Sequence, residues 1–463
     1  MDFTALVRSQ RELALGGSTS AAKDRITALE ALLHATEVHE KNLLDALHSD
    51  LGKAPVESFM SEIQMVRGEC RHAIKHLTSW MRPARKITPF VAWPGRSEVR
   101  RDPCGSVLII GPWNYPVHLT LTPAAGALAA GCSAVIKPSE RAPHVGEAIS
   151  SMIGSSFPSS QIAVVTGKGD TSAALLRESF DHVFFTGSRS TGIKVMEAAA
   201  RHPVPVTLEL GGKCPVVFFG GKGRHRDKLI SNMDTAARRI AWGKYLNAGQ
   251  TCVAPDHILV ERELLDPLIS SLKRAFQAFG QRDYARLVDH EHFERVRAFL
   301  SQGTIAYGGE TDDAALRIDP TLLVDILSSA PLMEEEIFGP ILPLIPCDSL
   351  EEAIASVNSR PDPLAIYPFT HDPDVLSRIT AATCSGAICC NDVIVQVAGV
   401  DLPFGGTGAS GMGRYRGKAS FDIFTRERVI VRRSLWPDLP FRYPPVALSL
   451  EKLKRLPRFM TGG

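Results

Sequence analysis

The sequence predicts an α/β protein built around parallel sheets, and three observations carry that prediction. From Ser106 onward, short apolar runs (106–110, 134–136, 162–165, 182–185 and 204–208) alternate with stretches of helical spacing. Strand–helix alternation at this pitch belongs to right-handed βαβ units. Just beyond these runs lie Gly, Pro, Asn, Lys and Ser residues such as Gly111, Pro112, Asn114, Lys137, Gly187 and Ser188, suited to the rim where such sheets take ligands. The 463 residues also exceed one compact core, and at about 150 residues per domain they suggest roughly three units.

In chain order, residues 1–80 read as helices. Ile26, Leu29, Leu33, Leu43, Leu44, Leu47 and Leu51 make one apolar face, and Gly52 supplies a stop. After Pro55 comes a cleaner stripe of Phe59, Ile63, Val66, Cys70, Ile74, Leu77 and Met81, spaced as an amphipathic helix. The uncharged stretch 103–136 raises the question of a membrane span. Pro112, Pro116, Pro123 and the glycines at 105, 111, 126 and 131 punctuate it, so no single helix runs through, and it reads as buried core. A second unit, about Gly211 to Gly413, again mixes strands and helices, with glycine turns at 249, 339, 405, 406, 408, 411 and 413. Residues 428–432 read as a strand before a proline-interrupted tail.

Composition excludes several classes. Hydrophobic residues at 44% and charged residues at 22% rule out a disordered, collagen-like or coiled-coil chain. The 52 Lys+Arg against 50 Asp+Glu leave a net charge of +2, too small a basic excess for a nucleic-acid binder. Nine cysteines are too sparse for a disulfide scaffold and show no CxxC pairing, so no metal site is expected and a reducing compartment suits them. Met1-Asp2-Phe3-Thr4 lacks the basic-then-apolar pattern of a secretory signal. A soluble, cytoplasmic protein without a transmembrane anchor is the expectation.

Three residues are candidates for chemistry. Cys252 sits in a loop between Gly249 and Pro255 that could present a thiolate, although a lone cysteine is commonly a small buried hydrophobe. Glu209 closes an apolar strand before Gly211-Gly212 and would point into a cleft as a general base, unless it pairs with Lys213. Asn114, held between Pro112 and Pro116, could stabilise an oxyanion, or simply form a turn. No GxGxxG opens the first strand–helix turn. Instead, Phe185-Thr186-Gly187-Ser188 and Gly192 follow a strand, where backbone N–H groups could meet a pyrophosphate or Ser188 could be a plain helix cap. Lys137-Pro138-Ser139-Glu140 offers a cation and a carboxylate to ribose hydroxyls.

Together these pieces resemble the aldehyde dehydrogenase superfamily. The resemblance rests on Pro112–Pro116, Lys137–Glu140, Phe185–Ser188, Glu209–Lys213, Gly249–Cys252, Glu335–Pro340 and Pro403–Gly406, in order, over about residues 20 to 445. Blocks 239–245, 251–255, 391–395 and 442–445 are similar to the class 3 branch, which acts on fatty, aromatic and apocarotenoid aldehydes. The resemblance implies a Rossmann-type dinucleotide-binding domain (102–210) and an α/β catalytic domain (211–415). It also implies a small oligomerisation arm (86–101 and 420–440) for a homodimer, N-terminal helices (1–85) packed on the cofactor domain, and a tail (441–463).

By the same resemblance, Cys252 attacks an apolar aldehyde, Asn114 and the Cys252 N–H hold the oxyanion, and Glu209 activates water to release the acid. Trp113, Gly187, Ser188 and Gly192 join the cofactor site, Lys137 and Glu140 meet the adenosine ribose, Glu336 orients the nicotinamide ribose, and Phe338 lies against that end. Glu140 would repel a 2′-phosphate while Lys137 and Arg189 offset it, so NAD is expected to be preferred and NADP accepted. A coenzyme A-acylating enzyme and a non-catalytic relative are the rival readings, and Glu209 argues against the first. Three features depart from the branch: a basic stretch 220–228 read as a solvated loop, Cys389-Cys390 read as small core residues, and a tail without an apolar span. With basic residues among its leucines (448–459), that tail offers only weak peripheral contact to a membrane.

Overall fold

The computed structural model describes residues 2–17, 19–89, 92–280, 284–438, 443–444 and 449–451. Apart from residues 449–451, the tail read over 448–459 lies outside them, as do Arg442 and Pro445.

Six strands form one sheet in the order Gly411–Met412, Val206–Glu209, His182–Thr186, Ser106–Ile110, Ser133–Lys137, Ile162–Val164. The last five run parallel, and Gly411–Met412 is an antiparallel edge. The run predicted at 204–208 pairs from Val206, after Pro203 and Pro205, which have no N–H for a ladder. Alternate residues serve opposite faces. Val107 and Ile109 pack with the N-terminal helices, while Leu108 and Ile110 pack on the other side with Leu175 and Val195. Register aligns the strand ends: Ile110 opposes Lys137 and Phe185, and Thr186 opposes Glu209. The residues after 110, 137, 186 and 209 therefore leave the sheet along one edge.

A seven-stranded sheet runs Thr304–Tyr307, Thr321–Val324, Ile341–Cys347, His257–Glu261, Pro215–Phe218, Ala365–Phe369, Ala387–Ile388, parallel except for its first pair. Three antiparallel strands, Ala84–Lys86, Gly95–Pro103 and Thr425–Arg433, make a third sheet. The strand predicted at 428–432 is longer because it pairs with Gly95–Pro103 along its whole length.

Other differences have local causes. The stripe after Pro55 is broken by a π-turn at Phe59–Ile63 before the helix Gln64–Trp80, and Glu62 of that wide turn is fully buried. Stretch 103–136 is strand, helix and strand, and its helix, His118–Ala130, keeps Pro123 inside although Pro123 has no N–H to donate. The basic stretch 220–228 is not all loop: Arg224–Ser231 is a helix, and Arg226 bridges Glu261 and Glu263. Cys389 is only half-buried and Cys390 is exposed, so the pair is not core. Among the described residues no helix is long and apolar enough to cross a membrane, and no cluster of His, Cys, Asp and Glu could hold a metal ion.

Candidate active site

The aligned strand ends open on a cavity of about 1080 Å³ that also reaches the second sheet. Cys252, Glu209 and Asn114 all line it. So do the predicted cofactor residues Trp113, Lys137, Glu140, Gly187, Ser188, Glu336 and Phe338. Gly192 does not line it. It lies in the first turn of the helix Arg189–Ala199, where a Cβ would come within 2.7 Å of the Leu210 side chain.

Cys252 sits in the loop leading into His257–Glu261. Gly249 has φ of +71°, and a Cβ there would overlap the Gly339 carbonyl, so the loop requires glycine at this turn. Buried Gln250 then fixes the loop, donating to the Asn247 and Arg286 carbonyls at 3.0 Å and accepting from Val288 N–H at 3.1 Å. Thr251 bonds the Tyr115 hydroxyl at 2.7 Å. Burial pushes the Cys252 thiol up, and the Glu336 and Glu209 carboxylates push it further.

Glu209 is buried, and neither carboxylate oxygen has a hydrogen-bond partner. The alternative pairing with Lys213 does not occur. The Lys213 ammonium binds Asp256 and donates to the Leu332 and Glu335 carbonyls at 2.8 and 2.7 Å. Burial raises the Glu209 carboxyl well above the usual carboxylate range, and Arg414 offsets only part of that. Glu336 is pushed up to about 8 by burial, with Asp256 adding to the shift.

The Asn114 amide donates to the Gln250 carbonyl at 3.0 Å, which leaves its second hydrogen for a ligand. The frame beneath it was not legible in the sequence. Buried Lys53 donates to the Asn114 carbonyl at 2.8 Å, pairs with Glu62 at 2.7 Å and lies 3.9 Å from the Tyr115 ring centre. Glu62 in turn accepts from the Val117 and His118 N–H groups at 3.0 and 2.9 Å.

A second bracket closes the cavity's other side. Arg141 grips Asp289 with two bonds of 2.6 and 2.7 Å and lies 5.0 Å from the Trp113 ring centre. Trp113 meets Phe338 edge-on at 5.3 Å, and His292 donates to the Phe338 carbonyl at 2.8 Å. Trp113 and Phe338 were expected at the cofactor end, whereas Arg141, Asp289 and His292 were not.

The cavity fits a dinucleotide on its own features. Ser188 caps the helix Arg189–Ala199, whose N-terminal end faces the cavity and favours anionic groups. The Thr186 hydroxyl beside it is buried and has no partner. At Gly211 a Cβ would overlap the Glu336 carboxylate, so the glycine keeps that contact open. Lys137 and Glu140 pair with each other at 2.6 Å, the lysine buried and the glutamate partly exposed. Burial opposes the Glu140 charge, but the Lys137 bond, the Glu140 N–H and the Lys137 and Arg141 charges together hold the carboxyl below its ordinary value.

Two α/β sheets that set a thiol, an unpartnered carboxylate and an amide beside a phosphate-suited helix end define a class: a dinucleotide-dependent enzyme with a thiol in its cleft. The Aldehyde dehydrogenase family matches residues 2–430. The chain is 41% identical over 448 residues to the 4,4'-diaponeurosporen-aldehyde dehydrogenase of Staphylococcus aureus, covering 94% of this chain and 96% of that protein. It is 40% identical to the dimeric NADP-preferring aldehyde dehydrogenase of Rattus norvegicus, covering 95% of this chain and 97% of the relative. The solved substrate-bound state of Staphylococcus aureus AldH superimposes with a TM-score of 0.92 at 38% identity, over 97% of this chain and 98% of that one. The chain belongs to the aldehyde dehydrogenase family, and NAD(P)-dependent aldehyde oxidation is its reaction class.

Proposed function

We propose that Cys252 is the nucleophile, Asn114 the oxyanion donor and Glu209 the general base in oxidation of an apolar aldehyde to its carboxylic acid. The observation that carries this is the shared cavity, with Glu209 buried, unpartnered and able to act on water. The Cys252 sulfur adds to the aldehyde carbon, and the Asn114 amide hydrogen and the Cys252 N–H stabilise the oxygen that gains charge. NAD(P)+, when bound, supplies the hydride acceptor. Cys252 then carries the acyl group as a thioester. Glu209 takes a proton from water, the water oxygen bonds the acyl carbon, and the carbon–sulfur bond breaks to free the acid and the thiol.

Trp113, Gly187, Ser188, Glu336 and Phe338 hold the cofactor in this reading, with Lys137 and Glu140 at the adenosine ribose. We assign residues 102–210 to cofactor binding, 211–415 to catalysis, and the sheet of 86–101 and 420–440 to homodimer formation. Its edge strand Thr425–Arg433 exposes Val429 and Val431, which supports that last assignment. NAD is preferred and NADP accepted, because Glu140 disfavours a 2′-phosphate while Lys137 tempers it. The substrate classes are medium- and long-chain aliphatic, aromatic and apocarotenoid aldehydes, and the name of the Staphylococcus aureus relative supports the last. Comparing kcat/KM across the three classes, with and without coenzyme A, tests the reading. Free acid as the product supports it, and an acyl-coenzyme A product contradicts it.

A further inference from the structure

Cys214 is a fully buried thiol that takes no part in the chemistry above. It follows the Glu209–Lys213 block and reaches the nucleophile's own peptide. Its S–H donates to the Cys252 carbonyl at 3.3 Å, and its sulfur accepts the Ala365 N–H at 3.3 Å. The C=O and N–H of one planar trans peptide point to opposite sides. The carbonyl held by Cys214 shares its peptide with the Val253 N–H, and the Val253 and Cys252 N–H groups both favour the Cys252 thiolate.

We propose that Cys214 is a positioning residue for the nucleophile: by holding the Cys252 carbonyl, it aims the Val253 N–H at the Cys252 sulfur. The inference rests on the reading of Cys252 as nucleophile. Neighbouring carbonyls of the loop are fixed by firmer donors. Thr251 O accepts from Ala254 N–H at 2.9 Å, and Val253 O accepts from the Tyr367 hydroxyl at 2.6 Å. The peptide between them depends on a thiol, a weak donor, so it is the one free to tilt if that donor goes. Its orientation matters because of the charges around the sulfur. Glu336 and Glu209 both disfavour a thiolate, and Cys214, Tyr115 and Tyr415 are the other titratable groups that interact with it. Against these stand the N–H groups of Cys252 and Val253.

The test is the rate of Cys252 alkylation by iodoacetamide at fixed pH, read by the mass of the Cys252 peptide, in the wild type, Cys214→Ala and Cys214→Ser. The Ala variant should alkylate about threefold more slowly, the scale of one weak hydrogen bond, and lose kcat by a similar factor with KM for the aldehyde unchanged. The Ser variant, which keeps an O–H donor, should return both toward wild type. An Ala variant that alkylates like wild type overturns the proposal. So does a Ser variant that melts and alkylates like Ala, because Cys214 would then only fill space. If alkylating Cys252 in the wild type leaves activity intact, the nucleophile assignment fails instead, and the Cys214 shift remains measurable on its own.

Discussion

Thr186 and Glu209 are register partners at the last position of adjacent parallel strands, and the side-chain oxygens of both are buried there without a hydrogen-bond partner. Leaving such a group unpaired costs about 1–3 kcal/mol, so two side by side are not a packing solution. They face the same cavity. Lys213, which could have neutralised Glu209, is fixed on Asp256 instead. In the proposed reading, this arrangement keeps a carboxyl ready for water.

Replacing that carboxyl should divide the reaction. Glu209→Gln should leave the redox step largely intact and block release of the acid. A burst of NADH near one per active site, followed by slow turnover, is the expected trace in rapid mixing. Loss of the burst would place Glu209 in the first step, and Cys252→Ala should abolish both phases.

The raised Glu209 carboxyl fixes the sign of the pH effect. Only the ionised form is a base, and burial shifts ionisation to higher pH. Thioester decay in single turnover should therefore still accelerate with pH above the usual carboxylate range. In Glu209→Gln that limb should be absent. A wild-type rate that levels off within the usual carboxylate range would contradict the assignment.

Asn114→Ala removes the side-chain oxyanion donor. The acylation rate should fall by about 10²–10³, the usual loss for one such donor. The rate of Cys252 alkylation should stay near wild type, because the thiol itself is untouched. Equal losses in both would mark a collapsed loop rather than a lost donor.

The Lys53–Glu62 pair supports Asn114 from below, and both side chains are fully buried. Lys53→Met leaves the Glu62 carboxyl without its cation and should cost about 3–5 kcal/mol in chemical denaturation. Adding Glu62→Gln should recover part of that. No recovery would mean that packing, and not the ion pair, sets the loss.

In the proposed reading, cofactor choice turns on the Lys137–Glu140 pair. Glu140→Gln removes the charge facing a 2′-phosphate and frees Lys137, so the ratio of kcat/KM for NADP over NAD should rise about tenfold. An unchanged ratio would show that another residue discriminates.

Much of this was legible in the sequence because local rules and tertiary context agree there. The apolar runs from Ser106 to Leu208 became parallel strands, and Glu209, at the end of one, does point into a cleft. What escaped was contact between distant segments. Nothing near Lys53 announces Asn114, nothing near Arg141 announces Asp289, and nothing near Cys214 announces Cys252. The π-turn that buries Glu62 kept the apolar spacing of a plain helix and so left no trace in the pattern. Gly192, in a phosphate-type motif, does not line the cavity, and a Cβ there would meet the Leu210 side chain.

The most direct test of the central claim is the mass of the Cys252 peptide from Glu209→Gln, quenched in acid after mixing with NAD+ and an apolar aldehyde. Covalent catalysis predicts an acyl group on Cys252 in near one-to-one yield with the NADH formed. NADH formation with Cys252 unmodified, or the acyl group on another residue, would contradict it.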